Sequence, residues 1–214
     1  MDKKEVPKKL TEIIRECGIE VLYQPGELIY KQNSPPGHLY MIESGLVKVI
    51  RETKNHREMI LDVCGPGDFP GLLTLSDHLA SNCNIIALET TQLIMIEVDT
   101  FKAIFLENAT YANYLFNVIN NQAVQIINRL IAINQKQLPG RVADLILFFY
   151  NLNNQQTTFR LQLNRKELAQ FAGTTKESMI RTLTEFKADK IIELTDRDVS
   201  INSMEIIKIL SRLG

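Results

Sequence analysis

The sequence is poor in the residues that staple, metallate or embed a protein. Three cysteines, Cys17, Cys64 and Cys83, stand in 214 residues, and their odd number and wide spacing match neither a disulfide framework nor a zinc pattern. Reduced structural thiols are expected. Long apolar runs are missing too: nothing approaches the roughly 20 residues that span a bilayer. Residues 1–10 are lysine-rich without an apolar stretch behind them, so the expected location is cytoplasmic, with no membrane partner. Charge of one sign is lacking, with 24 Lys plus Arg against 25 Asp plus Glu and a net charge of −1. The whole chain is therefore not a basic nucleic-acid binder by composition. No nucleophile paired with a base, metal-ligand cluster or phosphate-cradling glycine loop is recognisable, so no enzyme is expected, and no catalytic or metal-binding residue is assigned.

What is present is ordinary globular composition, 45% hydrophobic and 23% charged, enough for a core and for one or two domains. The near-neutral average hides a split. From Gln137 onward there are 11 Lys plus Arg against 9 Asp plus Glu, or +2, leaving 13 against 16, or −3, before it. The tail is the better candidate for phosphate contact. Residues 26–101 read as short β-prone runs at 28–30, 39–42, 46–51, 59–63, 84–88 and 92–97, separated by turn residues such as Ser44-Gly45 and Gly65-Pro66-Gly67-Asp68. That spacing suggests a barrel or sandwich.

Between residues 110 and 134 no glycine or proline interrupts a helical pattern. Phe116, Ile119, Ala123, Ile126, Leu130 and Ile133 recur at alternating steps of three and four, the seam of a helix that packs against a twin. This is the expected dimer interface; a helix buried inside one domain is the alternative, because Leu115, Val118 and Ile127 widen the apolar face. Leu138-Pro139-Gly140 reads as a break, with the hinge and domain boundary near Asn134 to Gly140, the helical pattern resuming over 141–151 and a polar loop over 151–158.

Asn164-Arg165-Lys166-Glu167 has the form of a capping box opening a short helix to Ala172, and Gly173 ends it. Thr174-Thr175-Lys176-Glu177 offers a second capping signature, for a helix to about Asp189 with Met179, Leu183 and Phe186 on its buried stripe. Helix, glycine turn, helix is the layout of a helix-turn-helix. Two β-prone runs, 191–194 and 199–201, would form a hairpin wing, and 204–213 a closing helix.

Four stretches in this order resemble the Crp/Fnr family of bacterial transcription regulators over nearly the full chain. They are Tyr40-Met41-Ile42-Glu43-Ser44-Gly45-Leu46-Val47-Lys48-Val49, Gly65-Pro66-Gly67-Asp68-Phe69-Pro70-Gly71, Gly140-Arg141-Val142-Ala143, and the double-helix segment 165–186. The resemblance implies an α+β chain: a cyclic-nucleotide-binding-like β-roll over 1–109, a long dimerisation helix over 110–136 and a winged helix-turn-helix over 137–214. It further implies a homodimer on a palindromic operator in double-stranded DNA, with RNA polymerase as a partner if the protein is an activator.

A helix in the major groove presents its first turns to base edges, which places Lys176, Glu177, Ile180 and Arg181 at the bases. The family uses a glutamate and an arginine at the positions of Glu177 and Arg181. Arg181 would donate to guanine O6 and N7, Glu177 would accept from cytosine N4, and Ile180 would meet a thymine methyl. An ordinary i,i+4 ion pair between Glu177 and Arg181 is the alternative. Thr174, Thr175 and Ser178 are candidates for phosphate contact, with Arg165 and Lys166 beside them.

In cyclic-nucleotide members, the resemblance implies, a glutamate after the glycine grips the ribose and an arginine-serine pair holds the phosphate. Here Gly71 is kept, but Leu72, Asn82 and Cys83 stand at the matching places, and the adenine-facing helix residues are Ile126 and Ile127. Loss of the guanidinium argues against cyclic AMP. An iron-sulfur cluster would need four cysteines, three near the start, and only Cys17 lies there. Haem is conceivable through His38, His56, His78 or the six methionines, with surface histidines as the plainer reading. A pocket lined by Gly71, Leu72, Leu73, Asn82, Cys83, Ile126 and Ile127 would take an unknown small-molecule effector or be filled core. Cys83 is either a redox reporter or an inert thiol. A ligand-sensing module whose winged helix docks a protein rather than DNA is the competing function.

Overall fold

Strand alternation builds the first of two units into which the chain divides, Met1–Ile126 and Ile127–Gly214. The computed structural model describes residues 7–35, 37–53, 58–72 and 82–214. In the first unit β1 (Ile19–Tyr23), β7 (Thr91–Glu97) and β3 (His38–Ser44) form one antiparallel sheet in the order β1-β7-β3. A second holds β2 (Leu28–Tyr30), β6 (Asn84–Ala87), β4 (Val47–Glu52) and β5 (Glu58–Cys64) in the order β2-β6-β4-β5.

Both faces of the first sheet are covered, so β3 and β7 carry apolar residues at consecutive positions rather than alternate ones. Tyr40, Ile42 and Leu93 join Ile29, Val47, Val49, Cys64, Cys83, Ile85 and Ala87 in one buried cluster. Their sequence neighbours point the other way: Leu39, Met41, Ile94 and Ile96 enter a second cluster. That cluster is closed by Leu10 and Ile14 of α1 (Lys8–Cys17), Phe101 and Phe105 of α2 (Val98–Leu106), and Tyr111 and Tyr114 of α3 (Ala109–Gln135). Period two along each strand thus feeds two cores.

The sequence pattern missed α1, β1 and α2. Helix α1 buries only Leu10 and Ile14, one turn apart, on an otherwise charged decapeptide. Strand β1 is an edge strand whose Ile19 and Leu22 are both exposed, so it shows no alternation. Helix α2 begins at Val98, three residues before the expected change of period at Phe101.

The second unit contains α4 (Leu138–Leu152), β8 (Thr158–Arg160), α5 (Arg165–Phe171), α6 (Lys176–Ala188), β9 (Ile192–Thr195), β10 (Asp198–Ile201) and α7 (Met204–Leu213), with a sheet ordered β8-β10-β9. Its core takes Val142, Ile146 and Phe149 from α4, Leu168 from α5, Met179, Leu183 and Phe186 from α6, and Val199 and Ile207. Two expectations are corrected. Leu138-Pro139-Gly140 does not precede the helix but forms its first turn, with Gln137 as N-cap; proline fits there because no intrahelical partner awaits its missing N–H. The polar loop expected over 151–158 ends in β8, whose buried Phe159 between exposed Thr158 and Arg160 was too short a signal to read.

Candidate nucleic-acid interface

The interface is assembled from two caps and a turn. Asn164 accepts from the backbone N–H groups of Lys166 and Glu167, at 3.0 Å each, while Glu167 accepts from the N–H of Asn164 at 2.8 Å, so the capping box is complete. Gly173 follows at φ +63, a conformation that costs an L side chain energy. A Cβ there would also lie 2.9 Å from Ile133 of α3. The cap of α6 is Thr175 rather than Thr174: its Oγ accepts from the Ser178 N–H at 3.2 Å and its hydroxyl donates to Ser178 Oγ at 3.1 Å. This leaves the Ser178 hydroxyl proton and the first backbone N–H groups of α6 available to an anion.

Packing divides α6 into two faces. Met179, Thr182, Leu183 and Phe186 are buried, while Lys176, Glu177, Ile180 and Arg181 are all exposed. Arg181 does not pair with Glu177; its Nε lies 3.6 Å from Glu185 Oε1, one turn further along. Both side chains are more than half exposed, so that pair is weak and easily exchanged for a base.

The expected phosphate contacts fare unequally. Lys166 is exposed and makes no ion pair among the described residues. Arg165 is engaged: it donates to the backbone carbonyl of Asp196 in the wing turn, and burial lowers its pKa. Its Nη1 is buried without a partner. Arg160 in β8 is likewise held by Asp198 and Asp196, at 3.2 and 3.5 Å. The wing is tied to the head of α5 rather than left free.

Contacts with no sequence signal lock the end of α3 to this domain. Lys136 Nζ donates to both carboxylate oxygens of Asp144, at 2.9 and 2.7 Å, and to the Ser211 carbonyl at 2.5 Å, while the Ser211 hydroxyl donates to Asp144 at 2.6 Å. The Arg129 guanidinium sits 4.3 Å from the centre of the Phe171 ring, and Arg141 donates to the Gly173 carbonyl at 2.9 Å. Ile133, expected in the dimer seam, lies beside Gly173. Ile119, also expected there, packs against the helix-covered core of the first unit. Phe116 and Leu130 are 67% and 53% exposed, Ala123 and Ile126 are half-buried, and Ile127 is exposed.

The expected effector residues are dispersed. Leu72 belongs to the helix-covered core and Cys83 to the core between the sheets, on opposite faces of the β1-β7-β3 sheet. Gly71 and Asn82 are half-buried, and Leu73 lies outside the described residues. Around Cys83 stand Tyr23, Tyr30 and Tyr40; burial pushes the Tyr40 phenol up to about 12. His38 is exposed at the head of β3, while His56 and His78 lie outside the described residues.

A family model of the cyclic nucleotide-binding domain matches residues 20–108, and one of the Crp-like helix-turn-helix domain matches residues 140–208. The chain belongs to the Crp/Fnr family. This Crp/Fnr protein is 24% identical over 184 residues to a CRP-like cAMP-activated global transcriptional regulator of Mycobacterium tuberculosis, with 84% of this chain and 82% of that one aligned. It is 23% identical over 191 residues to the fumarate and nitrate reduction regulatory protein of Yersinia pestis, covering 86% and 75%. Its fold is that of FixK2 from Bradyrhizobium japonicum, with a TM-score of 0.83 at 18% identity, over 92% and 98% of the two chains. Proteins of this kind are transcription regulators and not enzymes. No helix among the described residues is long and apolar enough to cross a membrane.

Proposed function

We propose that this Crp/Fnr protein is a cytoplasmic, sequence-specific regulator that binds an imperfectly palindromic operator as a homodimer. One observation carries the reading: α6 buries Met179, Leu183 and Phe186 and turns Lys176, Glu177, Ile180 and Arg181 together to solvent at its first turns. Those are the turns that reach base edges when a recognition helix lies in the major groove. Arg181 reads guanine, Glu177 cytosine and Ile180 a thymine methyl, while Ser178, Thr174, Lys166 and the α6 N–H groups meet phosphates. Two copies related by a two-fold axis set the half-sites about one DNA turn, roughly 34 to 36 Å, apart. RNA polymerase is the further partner if the protein activates.

Cyclic AMP is not the controlling ligand in this reading. Leu72 and Cys83 are buried in separate cores, and neither side chain is the cation that a cyclic phosphate needs. A cyclic phosphate there would be desolvated without a charge partner.

Operator selection followed by binding assays tests the proposal. Arg181→Ala should cost about 1 to 3 kcal/mol at one base pair per half-site and relax the preference there, and cyclic AMP should leave the wild-type affinity unchanged. Equal loss on every sequence would make Arg181 a backbone contact. Affinity insensitive to salt would point to a protein partner instead, because DNA binding releases counterions.

A further inference from the structure

The exposed face of α6 carries one charge more than the base contacts use. Lys176, Glu177, Arg181 and Glu185 are all exposed, two cations and two carboxylates. Arg181 stands four residues from each glutamate, so either can reach it. On a helix the better pair has the glutamate N-terminal to the cation, which favours Glu177. The structure uses the other: Arg181 Nε lies 3.6 Å from Glu185 Oε1, and Glu177 makes no ion pair among the described residues. Glu185 is eight residues beyond Glu177, about 12 Å along the axis at the helical rise per residue, past the first turns that meet base edges. It is a carboxylate without a base of its own, within reach of the guanidinium that reads one.

Resting on the operator-reading proposal, we infer that Glu185 is a specificity-determining residue: it retains Arg181 wherever the facing base is not guanine, and so makes the protein tolerant of substitutions at that position of its operator. Over guanine, O6 and N7 together take the guanidinium in a bidentate contact, and an ion pair this exposed is weak enough to give way. Adenine, cytosine and thymine each offer at most one acceptor in the major groove. An arginine with no other partner would be left there with donors unpaired, and that loss is what makes a wrong base costly. Arg181 instead stays on Glu185, and its donors remain engaged. The carboxylate thus lowers the cost of a wrong base without touching it. It also lowers the gain on guanine by the strength of the pair given up. Both effects flatten the preference at one base pair per half-site.

Binding of the full-length protein to duplexes that differ only at the Arg181 base pair tests this, with each variant compared against itself so that its folded fraction cancels. Glu185→Ala should raise the preference for guanine over the other bases by roughly two- to five-fold per half-site, the strength of an exposed ion pair. Glu185→Gln, which removes only the charge, should move it the same way. In an Arg181→Ala background neither substitution should alter the preference at that base pair, because the effect passes through Arg181. An equal gain on every sequence would make Glu185 a carboxylate that merely repels phosphates. A weaker preference for guanine would make it a brace that orients Arg181 on that base. Either result, or an unchanged preference, overturns the inference and leaves operator reading standing. An unsubstituted protein that prefers no sequence overturns both.

Discussion

Gly173→Ala separates two forces acting on the turn of the helix-turn-helix. The first is backbone strain, because Gly173 holds φ +63 and an L side chain in that region costs about 1 to 2 kcal/mol. The second is overpacking: the added Cβ would lie 2.9 Å from both Cγ atoms of Ile133 and 3.1 Å from its Cδ1. Inserted methyl groups cost about 1 to 3 kcal/mol, and the low end applies because Ile133 is only half-buried and can turn aside. The single substitution should therefore cost about 2 to 3 kcal/mol. Ile133→Ala removes the obstacle while forfeiting about 1 to 2 kcal/mol of burial. In the double variant only the φ strain and the lost burial remain, so the pair should fall short of additivity by about 1 kcal/mol. Gly173→Asn should be milder than alanine, since asparagine tolerates left-handed backbone. Urea unfolding of the full chain measures all four variants. Additivity within about 0.3 kcal/mol, the behaviour of residues that do not touch, would refute the contact between the end of α3 and the turn.

The clamp at the end of α3 makes a second expectation. Asp144→Asn removes the carboxylate that holds Lys136 Nζ at 2.7 Å and the Ser211 hydroxyl at 2.6 Å. With Lys136 and Asp144 27% and 30% exposed, the loss should be about 1 to 2 kcal/mol after allowance for solvent; a double-mutant cycle with Lys136→Met that shows no coupling would refute the pairing. The buried phenols give an alkaline signature. Tyr40 and Tyr114 are both pushed up to about 12 by burial, so between about pH 10 and 12 the folded chain holds phenol protons that the unfolded chain has released. Their contribution to stability should be constant below about pH 10 and fall as pH rises to 12. Tyr40→Phe should shallow that fall and remove one late-ionising phenol from the ultraviolet titration, and an unaltered slope would show that Tyr40 is not shielded.

What could be read in advance was whatever is written locally. The capping box at Asn164 and Glu167, the glycine at Gly173, and the 204–213 helix depend on neighbours within four residues, and the structure keeps each of them. What could not be read depends on partners far along the chain. Lys136 meets the Ser211 carbonyl across 75 positions, and nothing near either residue announces it. Arg165 looked like a free cation because its partner is the backbone of Asp196, 31 residues away. Leu72 and Cys83 were grouped as one pocket wall by their places in a motif, but the covered sheet between them sends them to different cores. The break between the helices falls at residues 136–137, just before Pro139 rather than at it: proline both ends helices and begins them, and only the N-cap geometry of Gln137 tells the two apart.

The phase of α3 follows from the same distinction. Periodicity marks every apolar position and cannot say which are consumed inside the chain. Tyr111, Leu115 and Val118 commit one face to the first unit's core. Arg129 on Phe171, Ile133 on Gly173 and Lys136 on Asp144 commit the last turns to the helix-turn-helix domain. Ile119 is drawn into the same first-unit core, so packing within the chain uses it and Ile133 alike among the apolar positions that periodicity marks.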